Sequence, residues 1–271
     1  MKRSLTLALA LTALIPAAAS AWAPAPGAIH PGVQTYTAGG QCTANFIYTD
    51  GGSTYIGQAA HCSGTGAATS TNGCTSKSLP VGTPVEVTGA SRPGTMVYNS
   101  WIAMQASGET DPETCAYNDF ALVRLDPVDV ARVNPSVPGF GGPVGLSSLG
   151  GTGSTVYTYG NSSLRGGVQK LSPKQGVVVQ RTPGGWSTSV YTVTPGIPGD
   201  SGSGFMTATG AAAGTLSTVA IAPLVASNGV GDLPRELNYM RTHGGPAANV
   251  VNGTEPFNGN LANAIINAPL I

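Results

Sequence analysis

The sequence predicts an all-β protein, because short strand-like runs recur along it and strong helix formers are scarce. Charged residues make up 9% of the chain, which holds 39 glycines and 21 prolines, a composition typical of loop-rich proteins. With 41% hydrophobic residues in short runs, the chain is expected to pack a core as a sandwich or as barrels. The predicted strands are rich in Val, Thr, Tyr and Ile and cover residues 42–48, 54–58, 85–88, 120–125, 155–159, 176–181, 189–193, 205–207 and 215–222.

Proline and glycine divide the chain into two halves. Residues 126–152 contain four prolines and several glycines, and we interpret them as a linker. One helix is expected near 232–241, where Asp232 can cap it and Pro234 suits its first turn. The remaining expected parts are a flexible N-terminus at 22–32, a first β unit at 33–125, a second at 153–245 and a C-terminal tail at 246–271.

Residues 1–21 are predicted to be a secretion signal that is cleaved from the mature protein. Lys2 and Arg3 form its basic end, an apolar stretch follows, and residues 19–21 have the Ala-x-Ala pattern of a cleavage site, although a cut after Ala23 also fits. Cleavage removes two of the 12 basic residues and none of the 12 acidic ones, so the mature chain has a formal charge of −2. This charge argues against nucleic acid or an anionic membrane as a partner. No lipid anchor and no further membrane span are expected.

Three short segments carry residue types that together suit nucleophilic catalysis, in the chain order His61, Asp119, Ser201. A serine hydroxyl needs a base, an imidazole titrates near neutrality, and a buried carboxylate can fix the imidazole tautomer. Each residue also has a simpler explanation: a polar turn for Ser201, a packed histidine beside a disulfide for His61, and an Asx turn for Asp119. No further ligand at metal-binding spacing lies near His61, so no metal and no cofactor is expected. The segments are residues 57–62, 118–125 and 198–203.

On these three segments the chain resembles the chymotrypsin-like serine proteases, in particular the compact secreted, trypsin-like enzymes of bacteria. The resemblance covers about residues 33–243. It implies two six-stranded antiparallel β-barrels with the active site between them and one short C-terminal helix. It also implies that His61 is the base, Asp119 the acid that orients it, and Ser201 the nucleophile. The backbone N–H groups of Gly199 and Ser201 would form the oxyanion hole.

Four cysteines in an exported chain predict two disulfides, and the count alone leaves three pairings open. In the resembled family a disulfide ties the loop that bears the base to a neighbouring strand. The resemblance therefore implies a bridge between Cys42 and Cys62, which leaves Cys74 to pair with Cys115.

The chain departs from the animal members of this family, which pair a newly cut N-terminal amine with the acid before the nucleophile. It has no start of the Ile-Val-Gly-Gly type, and His61 lies too close to the mature N-terminus for a large folding pro-region. We therefore expect Asp200 to pair with a cation of the second half, Arg165 as first choice and Arg181 as second. The protein is then expected to fold directly to its active form.

The segment 214–219 is similar to the strand that lines the family's primary specificity pocket, which places Ser217 beside the orienting acid and Val219 at the pocket wall. The residue six before the nucleophile, which lies at the pocket floor in the family, is Pro195 rather than an acid. A buried cation would have no partner there, and the branched Val219 narrows the entrance. Small or medium apolar side chains are therefore expected before the cut bond. Ser203, which replaces a frequent glycine, is similar to the glutamyl endopeptidases and makes Glu the main competitor.

These observations lead to the hypothesis of a secreted, monomeric serine endopeptidase that acts on proteins or peptides through an acyl-enzyme. Two alternatives stay open on the sequence alone. The chain could be a catalytically silent binding or adhesion module on the same fold, or an esterase that uses the same triad.

Overall fold

The computed structural model describes residues 22–67, 70–220 and 226–268, so the predicted secretion signal at 1–21 lies outside the described residues. The strands are β1 (Gln34–Thr37), β2 (Gly40–Thr43), β3 (Ile47–Thr49), β4 (Thr54–Gln58), β5 (Pro84–Val87), β6 (Gly94–Asn99), β7 (Ala121–Arg124), β8 (Thr155–Tyr159), β9 (Pro173–Arg181), β10 (Ser187–Thr192), β11 (Gly204–Thr207), β12 (Ala212–Ala220), β13 (Ser227–Asp232) and β14 (Asn249–Val250). The α-helices are α1 (Ser100–Ser107), α2 (Pro112–Tyr117), α3 (Leu233–Thr242) and α4 (Leu261–Asn267). None of these helices is both long and apolar enough to cross a membrane.

The first half of the chain forms one antiparallel sheet of eight strands in the order β14-β3-β4-β7-β6-β5-β1-β2. Its central strand β4 reads Thr-Tyr-Ile-Gly-Gln and is buried throughout, as β-branched and aromatic residues favour. The resemblance implied a closed six-stranded barrel here, and the backbone hydrogen bonds agree with it. Residues 44–46 continue β2 into β3, because the N–H of Ala44 donates to the Val33 carbonyl and the N–H of Asn45 donates to the Gly57 carbonyl, each at 2.9 Å. The segments β2 and β3 are thus parts of one strand, which lies between β1 and β4 and closes the ring with β7, β6 and β5. The C-terminal tail supplies the additional strand β14, in which Asn249 pairs with Thr49 of β3 and Val250 with Tyr48. Strand β14 therefore lies against β3 as an addition to this ring.

The second half forms a closed six-stranded barrel in the order β10-β13-β12-β11-β8-β9, as predicted. Every pairing in it is antiparallel, and closure gives each strand two neighbours, so no strand edge is left to be covered. The barrel interior is lined by the apolar side chains of Leu149, Val156, Val178, Val190, Phe205, Ala213, Leu216 and Val230.

The two halves share a further apolar core, which fixes the cleft between them. Phe46 and Phe120 of the first half and Met206 of the second belong to this one buried cluster, together with Leu233 and Leu237 of α3. All five side chains are nearly or fully inaccessible to water. Burial on this scale stabilises the contact between the halves, at roughly 2 kcal/mol for each large side chain.

Helix α3 begins as predicted, because the Asp232 carboxylate accepts the N–H of Arg235 at 3.2 Å and a proline lies in the first turn. The expectation of one short C-terminal helix is nevertheless incomplete, since α1, α2 and α4 are also present. Each of these begins at a polar cap, Asn99, Asp111 and Asn260 respectively. Helices of six to eight residues show too little periodicity to stand out in a sequence.

The segments predicted as a flexible N-terminus and as a linker pack against each other. The N–H groups of Ala28 and Ile29 donate to the carbonyl of Arg132 at 3.0 and 3.1 Å, and Ile29 is fully buried. Phe140, in the middle of the predicted linker, is fully buried as well. The boundaries assigned to the domains stay a prediction.

Both disulfides that the resemblance implied are present. Cys42–Cys62 ties β2 to the turn that follows β4, with a Cα–Cα distance of 6.1 Å. Cys74–Cys115 ties the loop before β5 to helix α2, with a Cα–Cα distance of 5.1 Å. The first of these bridges anchors the turn that carries His61.

Candidate active site

His61 is held on two sides by Asp119. It lies in a single 3-10 turn, Ala60–Ser63, directly after the buried strand β4. Its backbone N–H donates to Asp119 Oδ1 at 2.9 Å, and its Nδ1 lies 2.6 Å from Asp119 Oδ2. Because Nδ1 is engaged by the carboxylate, Nε2 is the nitrogen that can exchange a proton with a neighbouring group.

The electrostatics of this pair favour the charged form of both partners. Burial lowers the pKa of His61, but the charge of Asp119 and its hydrogen bond more than offset this, so the pKa of His61 lies above its ordinary value. Burial raises the pKa of Asp119, but the charge of His61 and the hydrogen bonds from His61 and Ser217 lower it below its ordinary range. Asp119 is therefore an ionised carboxylate that stabilises an imidazolium.

Ser217 contacts Asp119 as the sequence predicts. Its hydroxyl donates to Asp119 Oδ2 at 2.5 Å. Ser217 lies on β12 of the barrel, whereas Asp119 stands just before β7 of the first sheet. The hydrogen bond therefore crosses from one half of the molecule to the other.

Ser201 lies in a turn that is fastened to both halves. The N–H of Thr43 in β2 donates to the carbonyl of Ser201 at 2.8 Å, and the N–H of Gly202 donates to the carbonyl of Leu216 in β12 at 2.7 Å. Gly202 has a φ of +88°, and a Cβ atom there would lie 2.6 Å from the Thr43 carbonyl oxygen, so only glycine permits this approach. Ser201 lines the same cavity as His61. In the described residues its hydroxyl is not hydrogen-bonded to His61, and such contacts often tighten only when substrate binds.

The N–H groups of Gly199 and Ser201 are available to a ligand, because neither donates to an acceptor among the described residues. The neighbouring carbonyls are held in place instead. The hydroxyl of Ser162 donates to the Pro198 carbonyl at 2.5 Å, and Thr43 Oγ1 donates to the Gly199 carbonyl at 2.7 Å. The N–H of a trans peptide points opposite to its carbonyl, so the Pro198 carbonyl bond directs the Gly199 N–H away from Ser162. Gly199 and Ser201 both line the cavity.

Asp200 is fully buried between two cations. Arg165 donates from both terminal nitrogens, at 3.1 Å to Oδ1 and 2.7 Å to Oδ2, which is the partner predicted as first choice. The second choice, Arg181, pairs with Asp232 instead. The sequence analysis missed Lys174, whose Nζ lies 2.5 Å from Asp200 Oδ2. Burial lowers the pKa of Lys174, an effect that Asp200 opposes.

The cavity between the halves has a volume of about 910 Å³. Val219 and Leu216 lie on its wall as part of the segment predicted to line the specificity pocket, and Ser217 lies with them. Pro195 does not line the described cavity and is exposed on the surface. Gly196 beside it faces the wall, since a Cβ there would lie 3.2 Å from Leu216 Cδ2 and 3.6 Å from Val219 Cγ2.

Two features near His61 were not apparent from the sequence. The ring of Trp101, on α1, lies 6.5 Å from the imidazole and lines the cavity. The sulfurs of Cys42 and Cys62 lie close enough to the imidazole to resemble a metal-binding trio. Since both sulfurs are joined in a disulfide, they cannot serve as thiolate ligands, and this trio does not fit a metal site.

No protein-family model matches this chain, and no curated protein matches it in sequence. Several solved structures do match. Protease A of Thermobifida fusca is 20% identical, with a TM-score of 0.54, and the match covers 83% of this chain and 99% of that one. A Nocardiopsis protease is 19% identical, with a TM-score of 0.52, and the match covers 82% and 98%. A Glu endopeptidase is 16% identical, with a TM-score of 0.51, and the match covers 80% and 91%. This likeness confirms the predicted fold class: the chain has the fold of the chymotrypsin-like serine proteases.

Proposed function

We propose that this protein is a secreted serine endopeptidase in which Ser201, His61 and Asp119 form the catalytic triad. The observation that carries the proposal is the engagement of His61 Nδ1 by Asp119 at 2.6 Å while His61 and Ser201 line one cavity. This leaves the second imidazole nitrogen for proton transfer on the side of the nucleophile.

In the proposed reaction, Ser201 Oγ attacks the peptide carbonyl while its proton passes to His61 Nε2. The carbonyl oxygen becomes an oxyanion that accepts hydrogen bonds from the N–H groups of Gly199 and Ser201. His61 then gives its proton to the leaving amine as the carbon–nitrogen bond breaks, which leaves an acyl-enzyme. Water, deprotonated by His61, attacks the ester, and the proton returns to Ser201 as the acid product leaves. Asp119 holds the tautomer and stabilises the imidazolium throughout.

The preferred residue before the cut bond is proposed to be small or of medium size and apolar. Leu216 and Val219 stand close over Gly196 and narrow the space on this wall. No carboxylate side chain lines the described part of the cavity, so a Lys or Arg side chain would be buried without a partner. Glutamate stays the main competitor, because Ser203 is shared with the glutamyl endopeptidases and one match in fold is a Glu endopeptidase.

Export of the protein and a monomeric state are part of the same proposal. Two disulfides are typical of proteins that fold in an oxidising compartment. The substrates would then be proteins or peptides outside the cell, with neither a nucleic acid nor a membrane anchor involved.

The decisive experiment is labelling with a fluorophosphonate probe, followed by mapping of the labelled peptide. Stoichiometric labelling of Ser201, together with cleavage of peptide bonds in unactivated peptides, would support the endopeptidase. Labelling with ester turnover alone would replace it with an esterase. If the folded protein is not labelled, the endopeptidase proposal fails and a binding module is the remaining explanation.

A further inference from the structure

Glu236 is a buried carboxyl group that the proposed mechanism does not use. It lies on α3 and is fully inaccessible to water. Within the described ranges, the other buried carboxylates each pair with a cationic or titratable nitrogen, and Glu236 makes no such contact. Those paired groups are Asp119 with His61, Asp129 with Arg132, Asp200 with Arg165 and Lys174, and Asp232 with Arg181.

The contacts of Glu236 lead to the candidate triad. The backbone N–H of Asp119 lies 3.4 Å from Glu236 Oε1, and the hydroxyl of Thr215 lies 2.8 Å from Glu236 Oε2. Thr215 is two residues before Ser217 on β12, and Ser217 donates to the Asp119 carboxylate. One carboxyl group thus joins the main chain of Asp119 to the strand that supplies a hydrogen bond to its side chain.

Gly231 leaves the space that the carboxyl group of Glu236 fills. A Cβ atom at Gly231 would lie 2.3 Å from Glu236 Oε1. Since real Cβ atoms do not approach an oxygen so closely, any side chain at Gly231 would displace the carboxyl group. Gly231 is buried within β13, where glycine otherwise weakens a strand.

We propose that Glu236 is a positioning residue whose neutral carboxyl group holds the main chain of Asp119 and the strand at Thr215 in register, so that Asp119 faces His61. The role in catalysis rests on the proposed serine endopeptidase, whereas the charge state of Glu236 does not. The Thr215 hydroxyl and the Asp119 N–H both donate to this group, and a neutral carboxyl retains the acceptor capacity for both.

The surroundings of Glu236 favour its neutral form. Burial raises its pKa to about 8, an effect that the hydrogen bond from Thr215 opposes and the charge of Asp119 adds to. The backbone N–H of Asp119 lowers the pKa of Glu236, whereas the charge of Asp232 raises it, as the charge of Asp119 does. The other titratable groups that face Glu236 are Tyr48 of β3 and Tyr98 of β6, and the pKa of each lies above its ordinary value.

The raised pKa of Glu236 makes the stability of the protein depend on pH. A carboxyl whose pKa is raised on folding contributes stability below its unfolded pKa and loses it as pH rises through the folded value. Glu236→Gln keeps the shape and the hydrogen bonding but cannot ionise. Relative to wild type, the thermal stability of this variant should rise from about pH 4.5 to about pH 8, and the difference should stay constant above that.

The experiment compares wild type, Glu236→Gln, Glu236→Ala and the control Glu86→Gln, which changes an exposed carboxyl on β5. Thermal unfolding is followed from about pH 5 to about pH 9, and kcat, KM and the NMR titration of His61 are measured on the same proteins. For Glu236→Gln we expect unchanged kcat, KM and His61 pKa near neutrality, and a Tm above wild type that grows with pH. For Glu236→Ala we expect kcat to fall about tenfold or more with KM retained. Glu86→Gln should match wild type throughout.

Two results would overturn the proposal. A lower His61 pKa in Glu236→Gln, with no growing Tm difference, would show that Glu236 is ionised at neutral pH. Wild-type kcat in a folded Glu236→Ala would remove the positioning role. If Glu236→Ala fails to fold, the Glu236→Gln titrations decide the question alone. If neither wild type nor any variant hydrolyses the substrates, the proposed function fails. The Tm series and the His61 titration would still test the charge state of Glu236.

Discussion

The two halves of the molecule hold their parts of the site by different means. The barrel of the first half, with the added strand β14, carries His61 and Asp119 and contains both disulfides. The closed barrel of the second half carries Ser201 and contains the buried cluster of Asp200 with its two cations. In the first half each bridge ties a turn or loop between strands to a neighbouring element, so covalent bonds restrict these segments. In the second half buried charges hold the turn that bears Ser201.

The largest effect is expected when the catalytic candidates of the two halves, Ser201 and His61, are substituted singly and together. If they form one catalytic unit, Ser201→Ala and His61→Ala will each lower kcat about 10⁶-fold, by analogy with subtilisin, and the double variant will lose little more. Turnover of a chromogenic peptide measures this, with Ser203→Ala as the control because the Ser203 hydroxyl has no partner among the described residues. Losses that multiply in the double variant would show that the residues act independently.

The next effect separates the two ways of holding the site. Asp200→Asn leaves Arg165 and Lys174 buried without a carboxylate, so we expect it to cost about 3–5 kcal/mol of unfolding free energy and to abolish activity. Replacing Cys74 and Cys115 by alanine opens a closure of 41 residues, which by the chain-entropy model costs about 4 kcal/mol. This second change should act on the unfolded chain and spare kcat.

Urea unfolding and active-site titration on the same samples measure both quantities. Arg92→Gln, which breaks an exposed ion pair with Asp126, serves as the control and should cost less than about 1 kcal/mol. An Asp200→Asn protein with wild-type stability and turnover would contradict the role of the buried cluster. A disulfide variant that loses kcat while folded would show that this bridge shapes the site directly.

A smaller effect concerns pH and tests the electrostatics within the first half. The base must be neutral, and the pKa of His61 lies above its ordinary value, so activity should fall with decreasing pH through a midpoint above about 6.5. In Asp119→Asn only burial acts on His61, so the midpoint of the residual activity should move below about 6.5. The pH dependence of kcat/KM checks both directions, and a midpoint that does not move in Asp119→Asn would disprove the coupling.

The smallest effect concerns the wall that the barrel contributes to the cavity. Val219→Gly widens the entrance, so kcat/KM for Phe relative to Ala before the cut bond should rise about tenfold. Peptides that differ only at this residue measure the ratio, and Val193→Gly, which changes an exposed valine outside the described cavity wall, is the control. Dominant cutting after Arg or Lys in wild type would show that the pocket lies elsewhere.

Local signals in the sequence were enough for several features of the fold and of the candidate site. The cap Asp232 and the proline after it predict where α3 begins, because a cap acts on the first turn alone. The three segments around His61, Asp119 and Ser201 each combine a turn or a strand start with one reactive side chain. The contact of Ser217 with Asp119 and that of Arg165 with Asp200 were expected from the resemblance, because no spacing in the chain indicates either contact.

The rest was decided by contacts between residues far apart in the chain. Lys174 follows a Leu-Ser-Pro run that is typical of a turn, and only the closure of β9 into the barrel brings its ammonium group to Asp200, 26 residues later. The first half gains a further strand because two residues of the tail pair with β3, about 200 residues earlier in the chain. Glu236 is an ordinary helix residue by sequence, and it is buried behind Asp119 because α3 packs into the core between the halves. A sequence determines its caps, turns and reactive groups within a few residues of each other, whereas burial and long-range pairing depend on which surfaces meet when the whole chain has folded.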